Sequence, residues 1–148
     1  CGMEAWGTNQ NMRTGDLYRI RYTGRSIPMP IRLNAMGNGM KLTFASPLNS
    51  ESATDVSKYE VKTWDLVRSS NYGSDRYNIK TLNISEARLS PDGKTVVLIM
   101  EKIAPVDVMT ISYDITDESG TPLKGTVQNT IHILPKDKGL GLENEGLN

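Results

Sequence analysis

The sequence predicts an all-β chain folded as an antiparallel sandwich of about seven strands behind an N-terminal extension. Three observations carry this. Apolar and polar residues alternate with period two in one stretch after another. Those stretches are parted by clusters of glycine, proline, asparagine and aspartate. Helical spacing is confined to the segment from Ser50 to Lys58, which is long enough for one or two turns.

In chain order, Leu17 to Thr23 sets Tyr18, Ile20 and Tyr22 against Arg19 and Arg21, the pattern of a half-buried strand. Ile31, Leu33 and Ala35 alternate with Arg32 and Asn34, and Met40, Leu42 and Phe44 with Lys41 and Thr43. Gly37-Asn38-Gly39 between them suits a tight hairpin, because these residues tolerate positive φ. Tyr59 and Val61 alternate with Glu60 and Lys62, but the apolar phase then slips to Trp64 and Leu66, as one extra residue in a bulge would make it. A second slip separates Ile84 from Ala87 and Leu89. Ser90-Pro91-Asp92-Gly93 is turn chemistry, since proline presets φ and glycine accepts the left-handed position. Thr95 to Met100 is apolar on both faces, as a central strand is. Met109, Ile111, Tyr113 and Ile115 then share a face, Asp117-Glu118-Ser119-Gly120 turns the chain, and Val127, Asn129, Ile131 and Ile133 form the last strand. The expected core is Ile31, Leu33, Leu42, Phe44, Val61, Trp64, Val96, Leu98, Ile111, Tyr113, Ile131 and Ile133.

At 148 residues the chain is one domain long. Residues 25–136 carry the sandwich, residues 1–24 read as an extension, and residues 137–148, rich in glycine and acid without a period, read as a flexible tail or linker. Lys plus Arg and Asp plus Glu each number 17, which removes the basic field that recruits nucleic acid. The longest apolar run, Val96 to Met100, falls far short of the roughly 20 residues a helix needs to span a bilayer. A single cysteine, Cys1, leaves no internal disulfide and no thiolate metal cluster. At the first position it reads either as the lipid-bearing cysteine of a lipoprotein or, since CGMEAWG lacks the usual polar tether, as the end of a packed strand within a longer protein.

LTFASPLNSESATDVSKYEV, ARLSPDGKTVVLIM and ISYDITDESGTPLKG resemble the bacterial Ig-like, fibronectin III-like domains of the surface-layer type over residues 31 to 127. YRIRYTG, KYEVKTWDLVRSSNYGSDRY and NTIHILP resemble more narrowly the segment behind the β-propeller in large secreted proteins of planctomycetes, verrucomicrobia and Bacteroidetes. Those proteins are related to glucose/sorbosone-type dehydrogenases and are often fused to c-type haem domains. This resemblance implies that residues 1–24, with CGMEAWGTN, are the exit strand of a preceding propeller. It also implies an exported location, whether periplasmic, outer-membrane-associated or extracellular. The match departs at Met36 to Met40 and in the acidic tail, and no haem-attaching Cys-x-x-Cys-His is present, so no cofactor is expected.

Reactive chemistry is sparse. His132 is the only histidine. It shares a strand face with Gln128 and Thr130, where a surface or interdomain hydrogen bond is the ordinary role, and no Gly-x-Ser-x-Gly elbow presents a nucleophile. Asp107, Asp114, Asp117 and Glu118 lack the spacing of a calcium loop, and Gly37-Asn38-Gly39 and Gly139-Leu140-Gly141 lack the dinucleotide fingerprint. The stretch that invites a function is SSNYGSDRYN, residues 69 to 78. Arg68, Tyr72, Arg76 and Tyr77, with Trp64 upstream, are the residue types that build hot spots. Three readings remain open: a connector whose tyrosines pack back on their own domain, an interface with a neighbouring propeller, and a polysaccharide platform with rings stacked on sugars. The expectation is a non-catalytic accessory domain, with a carbohydrate-binding module on Trp64, Tyr72 and Tyr77 as the alternative. A third option has Tyr72 or His132 completing an oxidoreductase site at the propeller's mouth.

Overall fold

The computed structural model describes residues 19–21, 23–24 and 27–136. The alternating stretches become eight strands: β1 Arg32–Met36, β2 Gly39–Thr43, β3 Tyr59–Asp65, β4 Tyr77–Leu82, β5 Ile84–Leu89, β6 Thr95–Met100, β7 Val106–Thr116 and β8 Pro122–Ile131. They form two four-stranded antiparallel sheets, ordered β1-β2-β6-β5 and β4-β3-β7-β8. Chain-adjacent pairs are hairpins, and the other three connections cross between sheets. The first sheet has the strand order of an immunoglobulin constant domain, and the second has that of its partner sheet plus one edge strand, β4. The all-β sandwich is therefore as expected, with eight strands for about seven. The helical segment resolves into α1 Ser50–Thr54, capped by the Asn49 side chain, and a 3-10 turn Val56–Lys58.

The interior is built where the alternation placed it. Leu42, Phe44, Val61, Val96, Leu98, Ile111, Tyr113 and Ile131 are buried, and Leu33 packs partly against them. Central β6 buries Val96, Leu98 and Met100 on one face and Val97 on the other. Tyr113 sets the edge of its ring against Phe44, with centroids 5.5 Å apart at 84°, and its hydroxyl donates to the Pro28 carbonyl at 2.8 Å. Burial lifts the Tyr113 phenol above its usual range. Gly39 is needed for a reason other than its backbone angle. A Cβ there would overlap the carbonyl oxygen of Leu98, so the close β2–β6 approach excludes a side chain. The Ser90–Gly93 turn forms as expected, with Gly93 at φ 70 and its N–H donating to Ser90 O at 2.9 Å.

Four expectations are corrected. Ile31 is 55% exposed, because β1 begins at Arg32 and Ile31 lies at the open end of an edge strand. Ile133 is 84% exposed, because β8 ends at Ile131, opposite Val106 where β7 starts, and nothing pairs beyond. The strand expected from Leu17 to Thr23 is absent at the described positions 19–21 and 23, where Ile20 is fully exposed; Tyr18 and Tyr22 lie outside the described residues. Trp64 is buried but stands apart from the core cluster. The β3–β7 ladder runs unbroken from Tyr59↔Tyr113 to Trp64↔Val108, so β3 has no bulge. Thr63 keeps the inward phase and Trp64 points to the outer face. The register shift falls instead on β4, where Asn78 and Ile79 together oppose Trp64. The second expected slip is a bulge at Ser85 of β5, between the pairs Ile84↔Met100 and Glu86↔Ile99.

The direction of the strands gives the sandwich two different ends. At one, the chain arrives in β1, Pro28 meets Tyr113, and the turns Ser90–Gly93 and Asp117–Gly120 gather with α1. At the other lie the Gly37-Asn38 turn, the segment after β3, residues 101–105 and the end of β8, where the described chain leaves. The 11 residues of β7 connect these ends over about 35 Å.

Candidate functional site

The site is built outward from Trp64. On each side of it the ladder is irregular. Asn78, at φ 52, occupies the β4 bulge as the described non-glycine residue with positive φ, and β7 carries an extra residue at Asp107-Val108 between the pairs Val106↔Ile131 and Met109↔Asn129. Both irregularities are used to hold the segment 66–76 that joins β3 to β4. Asn78 Nδ2 donates to Asp65 Oδ2 at 2.8 Å, the Leu66 N–H donates to Asp107 Oδ2 at 2.8 Å, and the Val67 N–H donates to Ser74 Oγ at 2.9 Å. The last bond closes the stem of a loop whose tip is Ser69 to Gly73. Arg76 turns back over the outer face, with its guanidinium carbon 4.4 Å from the Trp64 ring centroid, and so covers the indole.

Among exposed polar residues of this segment and of β4, several large apolar or aromatic side chains are open to water. Tyr72 is fully exposed, and Leu66, Val67, Tyr77 and Ile79 are 44–59% exposed. Lys80 lies on the inner side of β4, opposite buried Thr63, and its charge protects that edge against pairing with another strand.

Of the residues singled out from the sequence, Trp64 and Arg76 come together, with Trp64 sealed; Tyr77, opposite Asp65, is half open on the other face of the sheet. Tyr72 stands at the loop tip and does not pack back on its own domain. Arg68 is exposed and has no ion-pair partner among the described residues. His132 is exposed just beyond β8, at the same end of the sheet but two strands from β3, roughly 10 Å by strand spacing. Cys1 lies outside the described residues. Sequence reasoning missed Leu66, Val67 and Ile79 as surface residues, and Asp107 as the loop's anchor. Ile79 had a signal in its place on a strand that starts from the loop. Asp107 had none, since its partner is 41 positions away.

Other groups are otherwise engaged. Asp107 is at the opposite end from Asp117, and Asp114 pairs with Lys124 at 2.7 Å. Asp117 folds its carboxylate into its own turn, accepting from Ser119 Oγ at 2.7 Å and the Thr121 N–H at 2.8 Å; the Ser119 bond foremost holds it below the usual carboxylate range. The four carboxylates therefore do not converge, and no group of three or more His, Cys, Asp or Glu suited to a metal occurs among the described residues. An open cleft of about 310 Å³ runs along the β3–β4 edge between Val56, Tyr59, Glu60, Leu82 and Ile84. The Tyr59 hydroxyl at its wall is spent on the Ala53 carbonyl at 2.8 Å, and burial drives its pKa far above the usual phenol range. No helix among the described residues is long and apolar enough to cross a membrane.

No family model matches the chain, and no curated protein matches it. Among solved structures the chain is similar to the S-layer protein rSbsC(31-844), with a TM-score of 0.49 and 15% identity; the likeness covers 66% of this chain and 12% of that one.

Proposed function

We propose that this sandwich is a non-catalytic interaction domain, an accessory part of a larger exported protein, working through the loop 66–76 and the start of β4. The observation that carries the reading is fully exposed Tyr72, with half-exposed Leu66 and Val67, on a loop braced at its stem. A connector has no use for a fully exposed tyrosine beyond a sealed Trp64. An interaction surface uses both, because a rigid base lowers the entropy lost when the ring is covered.

The resemblance to propeller-associated segments supplies the finer form of the reading: the domain packs against, or spaces, a neighbouring propeller and is exported with it. Strand direction constrains that packing. The chain arrives at the end opposite the loop, so a preceding domain meets the loop only if the chain before residue 27 runs back along the sandwich, about 35 Å. The carbohydrate-binding alternative keeps Tyr72 as an open ring but loses the Trp64 face to Arg76.

Labelling tests the reading. With Cys1→Ser removing the native thiol, Tyr72→Cys reacts with a maleimide quickly in residues 1–148 alone. In the longer parent protein it is expected to be protected several-fold. Equal labelling rates in both would refute the reading. A glycan panel titrated against the 148-residue chain, with Tyr72→Ala as control, separates out the carbohydrate alternative.

A further inference from the structure

At the end of β4 away from the loop 66–76, the chain turns from one sheet into the other through Asn83-Ile84-Ser85. This is an Asn-x-Ser triplet with x other than proline, and no other asparagine in the chain has Ser or Thr two places on. Such a triplet serves as a glycan acceptor where a transferase can reach the amide and read the hydroxyl two residues later, which requires an open surface free of regular pairing. The corner provides it. The β3–β4 ladder ends at Val61↔Leu82 and the β5–β6 ladder begins at Ile84↔Met100, so Asn83 belongs to neither. Ser85 is the unpaired residue of the β5 bulge, its hydroxyl making a long, exposed bond of 3.2 Å to Ile99 O. Asn83 and Ser85 are both exposed.

We infer that Asn83 carries an N-linked oligosaccharide, transferred from a polyprenyl-pyrophosphate donor as the protein is exported; the inference rests on the exported part of the reading above. In the transfer Asn83 Nδ2 forms a bond to the anomeric carbon of the first sugar. The bond from that carbon to the pyrophosphate oxygen breaks, the amide gives up one proton, and the polyprenyl pyrophosphate leaves with the electron pair. Two features of the corner give the glycan a task. Asn83 lines the open cleft beside half-exposed Val56 and partly buried Leu82 and Ile84, so the first sugar stands by apolar side chains that otherwise meet water. β4 is also the edge strand of its sheet, and a bulky hydrophilic group at its end hinders another strand from pairing there.

Mass spectrometry of the parent protein, purified from the cells that make it, is the test. Trypsin cuts after Lys80 and Arg88, so the triplet lies in the peptide Thr81–Arg88. That peptide is expected to carry the mass of an oligosaccharide on Asn83, and a peptide-N-glycosidase should remove it and leave aspartate at position 83. In the same cells Ser85→Ala should lose the glycan and Ser85→Thr should keep it, a pattern that follows the transferase's need for a hydroxyl and not the packing of the bulge. A bare Thr81–Arg88 peptide in protein recovered outside the cytoplasm overturns the inference and leaves the interaction reading of the loop standing. A bare peptide in protein recovered wholly from the cytoplasm overturns the inference and export together. A glycan that persists in Ser85→Ala overturns the assignment to this triplet.

Discussion

Replacing Arg76 by alanine tests whether the loop is a built surface or a loose connector. In the folded chain the guanidinium carbon lies 4.4 Å from the Trp64 centroid, and Trp64 is 6% exposed. The substitution removes a cation–π contact of about 0.5–1 kcal/mol, near the low end because Arg76 is itself exposed. It also uncovers one face of the indole. If a third of the ring's ~150–250 Å² meets water, the cost is a further ~1–2 kcal/mol at about 25 cal/mol per Å². A loss of about 2 kcal/mol, roughly a 1 M fall in the urea midpoint, is expected. Trp6→Phe leaves Trp64 as the single reporter, and acrylamide quenching of its fluorescence should rise clearly in Arg76→Ala. Unchanged quenching together with an unchanged midpoint would refute the argument, because it would mean that Trp64 is sealed by the sheet alone.

Three further outcomes follow from the fold. Gly39→Ala should lose about 2 kcal/mol or more in urea unfolding, since the new Cβ overlaps Leu98 O and the β2–β6 ladder must part; a loss below about 0.5 kcal/mol would show that the spacing yields easily. Tyr113→Phe should cost about 1 kcal/mol by leaving Pro28 O without its donor, and should speed amide exchange in residues 27–31. Asp117 and Asp92 are held below the usual aspartate range, by Ser119 and by Ser90 first. Their contribution is therefore complete above the unfolded value near pH 4 and is lost as pH falls through the folded value. Urea midpoints at pH 7 and pH 3 should converge partly in Asp117→Asn, which no longer gains a proton, and an undiminished gap would rule Asp117 out as a source of the acid sensitivity.

The fold was legible because a sandwich is written in local signals. Period two assigns each residue to a face, Pro91, Gly93 and Gly120 mark where strands must stop, and Thr95 to Met100, apolar on both sides, reads as central because only a strand flanked on both edges needs it. The errors fall where a strand's end is set by its partner. Ile133 continues the alternation of β8, but β7 offers nothing beyond Val106. Ile31 extends β1 and even bonds Thr43 O at 2.7 Å, yet its place at an edge leaves it open to water.

Trp64 shows why the site was harder to read than the core. Its position broke the alternation, and a single extra residue in its own strand explained the break as well as any local cause could. The actual cause lies across the sheet, in Asn78 on β4, and downstream, in Arg76, whose cation makes an outward indole tolerable. A tryptophan can leave the core phase and still be buried when a loop long enough to return over it follows at once, and the loop 66–76 does so within twelve residues of Trp64. The residues that looked functional as a list thus divide by role. Trp64 and Arg76 hold the platform, Asp107 and Asn78 brace it, and Tyr72 at the exposed tip is the side chain that, in the function proposed above, meets a partner. Substitutions in the first two groups should therefore change stability, and those in the third should change association alone.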